Sequence, residues 1–205
     1  MTDIEHLSER LAFPLLERPE GQPLIKARQL VVDLCNVDHA RYLIALWHSR
    51  LPITQEGPWQ YAFSARFDAV TYGVALWNNP SARMLPVHWL ELRRMAVSPD
   101  APHCTASRML GEMARWFKAQ TPDRERLISY QDKSVHTGTI YRAAGWVPVH
   151  TSQPRIRDRS TRRPSGRMYR WNSNGIEPDA AAKVRWEKSL VITTPSVPVS
   201  AVPYQ

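Results

Sequence analysis

Between Tyr130 and Tyr141 the sequence carries a carboxylate (Asp132), an imidazole (His136) and a phenol (Tyr141). Side chains of these types accept and donate protons in acid–base chemistry. Each also has a plainer use. Asp132 precedes a short helical pattern and can cap it. Tyr141 can be a core tyrosine with its hydroxyl at the surface, and His136, like His48, can be an ordinary polar residue. A second set lies at Arg155–Arg170, RIRDRSTRRPSGRMYR, with seven arginines against one aspartate. Guanidinium groups make forked contacts with phosphate oxygens. Met168, Tyr169 and Trp171 interrupt that run and suit a packed base that displays the arginines; a solvated arginine-rich loop is the alternative. His48, His103 and His136 do not have the spacing of metal ligands, which leaves the use of a metal open. Cys35 and Cys104 fit neither a disulfide framework nor a zinc motif and read as two reduced thiols.

Composition sets the frame for these groups. The chain has 205 residues, 43% of them hydrophobic, and a formal net charge of +8. That is enough for one buried domain, and the charge favours polyanionic partners such as nucleic acid or coenzyme A. No apolar run approaches the ~18 residues a membrane-spanning helix needs. The opening MTDIEHLSERLAF lacks a signal-peptide pattern, so a cytoplasmic protein is expected.

The elements that must position the candidates follow from periodicity. Residues 1–22 read as an arm and 23–152 as the catalytic domain. Within it, residues 24–34 read as a strand, followed by a helix capped at Asn36 or Asp38 and ending near His48. Residues 60–67 and 71–77 form a hairpin over Asp68-Ala69-Val70, and 88–97 form a further strand. Met109, Leu110, Met113, Trp116 and Phe117 recur on one helical face. A strand at 126–131, a helix at 135–143 ending before Gly145 and a strand at 146–151 complete the order. Residues 153–190 read as a basic extension, where Trp186 anchors the chain to the body, and 191–205 as a disordered tail. In the central strand, alternation sends Arg93 and Arg94 to opposite faces, and Arg94 is taken as the one at the cleft. The expectation is a mixed sheet with helices on its faces.

This order, with a strand–loop–helix unit at 90–97, 98–104 and from Thr105, resembles the GNAT (Gcn5-related N-acyltransferase) fold. The resemblance implies an α/β (α+β), mostly antiparallel sheet with a splayed central cleft and helices on both faces. It also implies an acyl-CoA or related acyl donor, held by backbone N–H groups at a helix N-terminus. The Q/R-x-x-G-x-G/A loop of that fold falls on Ala101, Cys104 and Ala106, so the basic or amide residue and the first glycine are missing.

A narrower likeness covers about residues 48–146. His48-Ser49-Arg50-Leu51-Pro52, Leu90-Glu91-Leu92-Arg93-Arg94-Met95-Ala96-Val97, Thr105-Ala106-Ser107-Arg108-Met109-Leu110, and Tyr130-Gln131-Asp132 with His136-Thr137-Gly138-Thr139-Ile140-Tyr141 resemble the Mom family of phage adenine-hypermodifying proteins. The family more often shows His-Tyr-Ser where this chain has Trp47-His48-Ser49. The resemblance implies transfer of a small acyl-derived, carbamoylmethyl-type group to N6 of adenine in phage DNA, which protects that DNA from host restriction. It implies Asp132, Tyr141 and His48 as catalytic, and Arg94, Ala106, Ser107 and Arg108 as donor-binding. Arg50, His136, Arg155, Arg157, Arg162, Arg163 and Arg167 would contact DNA, whose adenine must be flipped out or single-stranded. One of the eight tryptophans can then stack the base. A membrane partner is not expected, and a homodimer is left open. Two other readings stay in play: a conventional acetyl-CoA-dependent N-acetyltransferase acting on an amine or modified pyrimidine, and a non-catalytic nucleic-acid-binding module of the same fold.

Overall fold

Short apolar runs punctuated by turn residues become seven strands of one sheet, in the spatial order β1-β2-β3-β4-β5-β7-β6. The computed structural model describes residues 25–48, 59–152 and 182–191. The strands are β1 (Val31–Leu34), β2 (Tyr61–Phe67), β3 (Val70–Asn78), β4 (Trp89–Val97), β5 (Arg126–Asp132), β6 (Val147–Ser152) and β7 (Lys183–Ser189). The helices are α1 (Val37–Trp47), α2 (Thr105–Gln120) and the short α3 (Thr139–Ala143). Among the described strands only β4 and β5 pair in parallel, and every other neighbouring pair is antiparallel. That asymmetry follows from the connections. β4 and β5 are joined through α2, the kind of crossover a parallel pair requires.

Helices cover both faces of the centre. Met109, Leu110, Met113 and Phe117 of α2 are fully buried against Phe63, Trp77, Leu90, Leu92 and Leu127. On the opposite face Ala40, Leu43 and Ile44 of α1 pack on Ala62, Val74, Leu76 and Ala96. Covered on both sides, β3 is buried along six consecutive residues, where a half-exposed strand would alternate. Asn36 starts α1 by accepting the backbone N–H groups of Asp38 and His39 through its side chain, satisfying donors that a helix start leaves open. Between β2 and β3 the chain reverses at Asp68, whose φ is 53°.

Three expectations change. Residues 24–34 are not one strand: a 3₁₀ turn at Ala27–Gln29 precedes β1, closed by Lys26 N–H donating to Gln29 Oε1 at 2.8 Å. The helix expected from 135 begins at Thr139, because the Asp132 side chain first folds the chain into a turn and Gly138 then takes φ 77°. Residues 183–189, read as part of an extension beyond the domain, form β7 inside the sheet between β5 and β6. In sequence the arginine-rich segment falls between β6 and β7, which pair with each other at Ser152 and Lys183.

Candidate active site

The site is built on a break in the sheet. The β4–β5 ladder pairs Trp89 through Leu92 with Arg126 through Ser129 and goes no further, although β4 runs to Val97 and β5 to Asp132. A bulge in β4 accompanies the break: Leu76 is opposite Arg94 and Trp77 opposite Leu92, leaving Arg93 unpaired with β3. Bulges bend a strand and re-aim its side chains. Leu92 and Met95 both pack with the α2 core, while Ala96 packs with α1. Arg93 and Arg94 therefore both project to the α1 face. This corrects the expectation that they point to opposite faces, which assumed unbroken alternation. Arg93 reaches the Asn79 carbonyl at 2.7 Å and lies near the buried Glu91. Arg94 donates to the Arg93 carbonyl at 2.7 Å, and its buried Nε has no hydrogen-bond partner among the described residues. Glu91 in turn accepts the Ser81 N–H at 2.7 Å and its hydroxyl at 2.9 Å.

His48 closes the C-terminus of α1, which brings it to the same place. Burial holds its imidazole below the ordinary range, and the charges of Arg94 and His136 lower it further, against an opposing backbone hydrogen bond. His136 is also held low by burial, opposed by Asp132. His48 thus lies within electrostatic reach of Arg94 and His136, and His136 within reach of Asp132, beside the break. Asp132 does not cap the short helix, whose N-cap is Gly138; instead its Oδ1 accepts the Ser134 N–H at 2.9 Å and its hydroxyl at 2.6 Å, closing a turn. An ionised carboxylate has about four lone-pair sites, so turn formation and a role at the cleft are compatible.

Tyr141 approaches from the other face. It is 4% exposed, and its hydroxyl shares a 2.9 Å hydrogen bond with Ser129, the last residue of the parallel ladder. Burial raises its pKa and the Ser129 hydrogen bond opposes that shift. The phenol is therefore protonated at neutral pH, at the point where β4 and β5 part. Ser129, Gln131 and Trp186 belong to this neighbourhood and were not anticipated as site residues. Trp186 had a signal, the alternation of Val184 and Trp186 with charged residues in KVRWEKS. Gln131 lies in the Tyr130-Gln131-Asp132 stretch that carries the Mom resemblance, and Ser129 had no signal.

Donor-binding expectations fall on the N-terminus of α2. Cys104 adopts φ 71° there, a left-handed conformation that costs a non-glycine residue roughly 1–2 kcal/mol. Where the acetyl-CoA loop pattern has glycine, this chain has cysteine in a left-handed conformation. The backbone N–H groups of Ala106 and Ser107 have no acceptor among the described residues, which suits an anion at a 16-residue helix. Pro99 and Pro102 supply no N–H, and the Ala101 and Thr105 N–H groups are spent on the Ser98 and Pro102 carbonyls. Ser107 turns its hydroxyl back to the Cys104 carbonyl at 3.0 Å, and Arg108 is ion-paired with Glu112. The fit to an anionic donor thus rests on backbone geometry. Glycine at 104 is expected to stabilise the fold by about 1 kcal/mol through relief of the left-handed strain, read as a higher urea midpoint at unchanged slope.

Arg50, Arg155, Arg157, Arg162, Arg163 and Arg167 lie outside the described residues. Cys35 is a free thiol pushed up to about 11 by burial, with a Ser64 hydrogen bond opposing, and is protonated at neutral pH.

The lowered histidines make stability depend on pH. Burial is the main cause at His39, His48 and His136 alike. In the window below the ordinary value near 6.5 and above the lowered folded values, the unfolded chain binds more protons than the folded one. Stability present above that window is lost as pH falls through it. The urea midpoint should drop between pH 7.5 and 5.5, and the double variant His48→Asn/His136→Asn should flatten that dependence. An unchanged slope in the double variant would place the proton uptake elsewhere.

A mostly antiparallel sheet, one parallel pair parted at a bulge, and a helix N-terminus at the cleft define the class: the chain has the GNAT acetyltransferase fold. It is similar to a Bacillus subtilis acetyltransferase in complex with CoA, with a TM-score of 0.53 and 14% identity over 79% of this chain and 99% of that one. It is similar to the ribosomal-protein-S18-alanine N-acetyltransferase of Escherichia coli, with a TM-score of 0.50 and 11% identity over 82% and 98%. The spermidine/spermine N-acetyltransferase of Vibrio cholerae, in complex with manganese ions, gives 0.52 and 10% over 80% and 94%. At such identities the likeness is one of fold. Within that fold the chain belongs to the Mom protein family, which matches residues 29–190. No curated protein matches the chain in sequence.

Proposed function

We propose that the protein transfers a small acyl-derived group of the carbamoylmethyl type to N6 of adenine in DNA. The observation that carries this reading is the break between β4 and β5, with the Tyr141 hydroxyl at Ser129 on one face and His48, His136 and Asp132 within electrostatic reach on the other, in a chain of the Mom protein family. The exocyclic amine of adenine is weakly basic and needs an acceptor for its proton as the new bond forms. Asp132 takes that role, with His136 beside it. The Tyr141 hydroxyl donates a proton to the leaving atom. His48 and Arg94 line the acceptor side, and the Ala106 and Ser107 N–H groups hold the anionic part of the donor. An acyl-CoA-type thioester would supply an activated acyl carbon: its bond to sulfur breaks as its bond to N6 forms, the thiolate leaves with the Tyr141 proton, and a carbamoylmethyl product, joined through its methylene carbon, then requires isomerisation of an aminoacetyl adduct that has the same atoms. Arg50 and the arginines of 155–167 hold the DNA backbone while the adenine is extruded or presented single-stranded. The setting is the cytoplasm of a phage-infected host, and the modified DNA resists restriction.

The left-handed turn at Cys104 with its two open N–H groups also favours a second reading, a conventional acetyl-CoA-dependent N-acetyltransferase. One experiment separates the two. The protein is expressed with plasmid DNA, which is digested to nucleosides and weighed. A mass increment on deoxyadenosine, lost in Asp132→Ala, supports the first reading. Four unmodified nucleosides, with acetyl-CoA binding by calorimetry, would support the second. Unmodified nucleosides with tight, salt-sensitive DNA binding and no acetyl-CoA binding point to a non-catalytic nucleic-acid-binding module.

A further inference from the structure

β7 contributes to the site through one side chain, although none of the residues assigned a role above lies on it. Trp186 is 2% exposed, and its ring stacks on that of Tyr141 with centroids 5.2 Å apart and planes 11° from parallel. Its indole N–H donates to Gln131 Oε1 at 2.7 Å. Gln131, also buried, donates its own Nε2–H to the His136 carbonyl. The loop 133–138 is then drawn down until Gly138 touches this pair: a Cβ at 138 would lie 2.6 Å from both Gln131 Oε1 and Trp186 Cζ2. Packing alone does not call for this arrangement. Burying an amide costs free energy unless its donors and acceptor are met, and an apolar side chain would fill the volume without that cost. What the amide adds is a fixed link between an aromatic ring on one strand and a backbone carbonyl of the loop that carries His136.

We propose that Trp186 and Gln131 act as positioning residues, holding the Tyr141 ring against the end of the β4–β5 ladder and fixing the 133–138 loop so that His136 stays at the cleft. The inference rests on the adenine-transfer reading for its catalytic meaning, though not for its structural content. It makes assembly of the site conditional on β7 lying beside β5, which ties the proton donor and the His136 loop to a strand that begins thirty-one positions after β6 ends, at Lys183 against Ser152.

Two conservative variants test it. Trp186→Phe keeps a stacking ring and removes the N–H; Gln131→Met keeps the volume and removes the amide. The first readout is the NMR titration of the His136 imidazole, assigned by its loss in His136→Asn. In both variants it should move up toward the ordinary value near 6.5 as the loop leaves its buried place, while the His39 signal on α1 titrates as before. The second is steady-state adenine modification, where kcat should fall about 10- to 100-fold from misplacement of the reacting groups with KM for DNA unchanged. If Gln131→Met fails to fold, Trp186→Phe carries both readouts. A His136 titration identical to wild type in the folded variants overturns the proposal, as does an unchanged kcat in an active enzyme. Should the wild-type protein leave adenine unmodified, the function reading fails while the titration still decides the positioning claim.

Discussion

Phenylalanine at position 141 is expected to lower adenine modification about 10²–10⁴-fold, the range for loss of a positioned general acid, while leaving a folded protein. The ring that stacks on Trp186 and meets Trp146 edge-on is retained, so the packing survives. What disappears is the hydroxyl, with its 2.9 Å bond to Ser129, and a typical hydrogen bond contributes about 1 kcal/mol to stability. The two effects differ enough to separate. A chemical denaturation midpoint close to wild type with a large fall in kcat supports proton donation by Tyr141. A kcat within a factor of two of wild type would remove Tyr141 from the mechanism and leave it as a core residue.

Truncating Trp186 to alanine has the largest expected effect on stability. Removal of a fully buried tryptophan typically costs about 3–5 kcal/mol. Here the loss is compounded, because Gln131 Oε1 loses the indole N–H that satisfies it and Tyr141 loses its stacking partner. For a domain of this size each kcal/mol shifts the melting temperature by roughly 2–4 °C, so a drop of about 6–20 °C is expected by calorimetry. Deletion of an exposed valine such as Val147, 57% exposed on neighbouring β6, should shift it little. A small shift at Trp186 would mean that β7 docks through its backbone alone.

Much of the frame could be read from the residues. The helical face of Met109, Leu110, Met113 and Phe117 and the hairpin at Asp68 stand where periodicity put them, because burial and local turn chemistry act over a few residues. The strand–loop–helix unit at 90–105 and the resemblance to the Mom family were legible for the same reason. What escaped is long-range. Nothing local marks the bulge at Arg93, which arises from pairing with β3 and sends two consecutive arginines to one face. β7 carries a strand-like alternation of Val184 and Trp186 with charged residues, but its place between β5 and β6 comes from pairing that no local pattern marks. The missing glycine at Cys104 suggested a poor anion loop, yet the chain takes up the left-handed turn regardless, since the surrounding fold can outweigh about 1–2 kcal/mol of local strain.

The order β5-β7-β6 also bears on how the molecule is made. Among the described residues β6 has no neighbour in the sheet except β7, and β5 keeps one open edge until β7 arrives. On the ribosome residues 153–182 must be synthesised in between, which at about 5–20 residues per second takes on the order of seconds. During that interval the nascent chain holds an unpaired strand and an open sheet edge beside a strongly cationic segment, the kind of exposure that invites mispairing. Non-local closure of this kind is also intrinsically slow. Refolding should therefore show a slow phase in tryptophan fluorescence whose amplitude falls in Trp186→Phe, reporting the entry of β7.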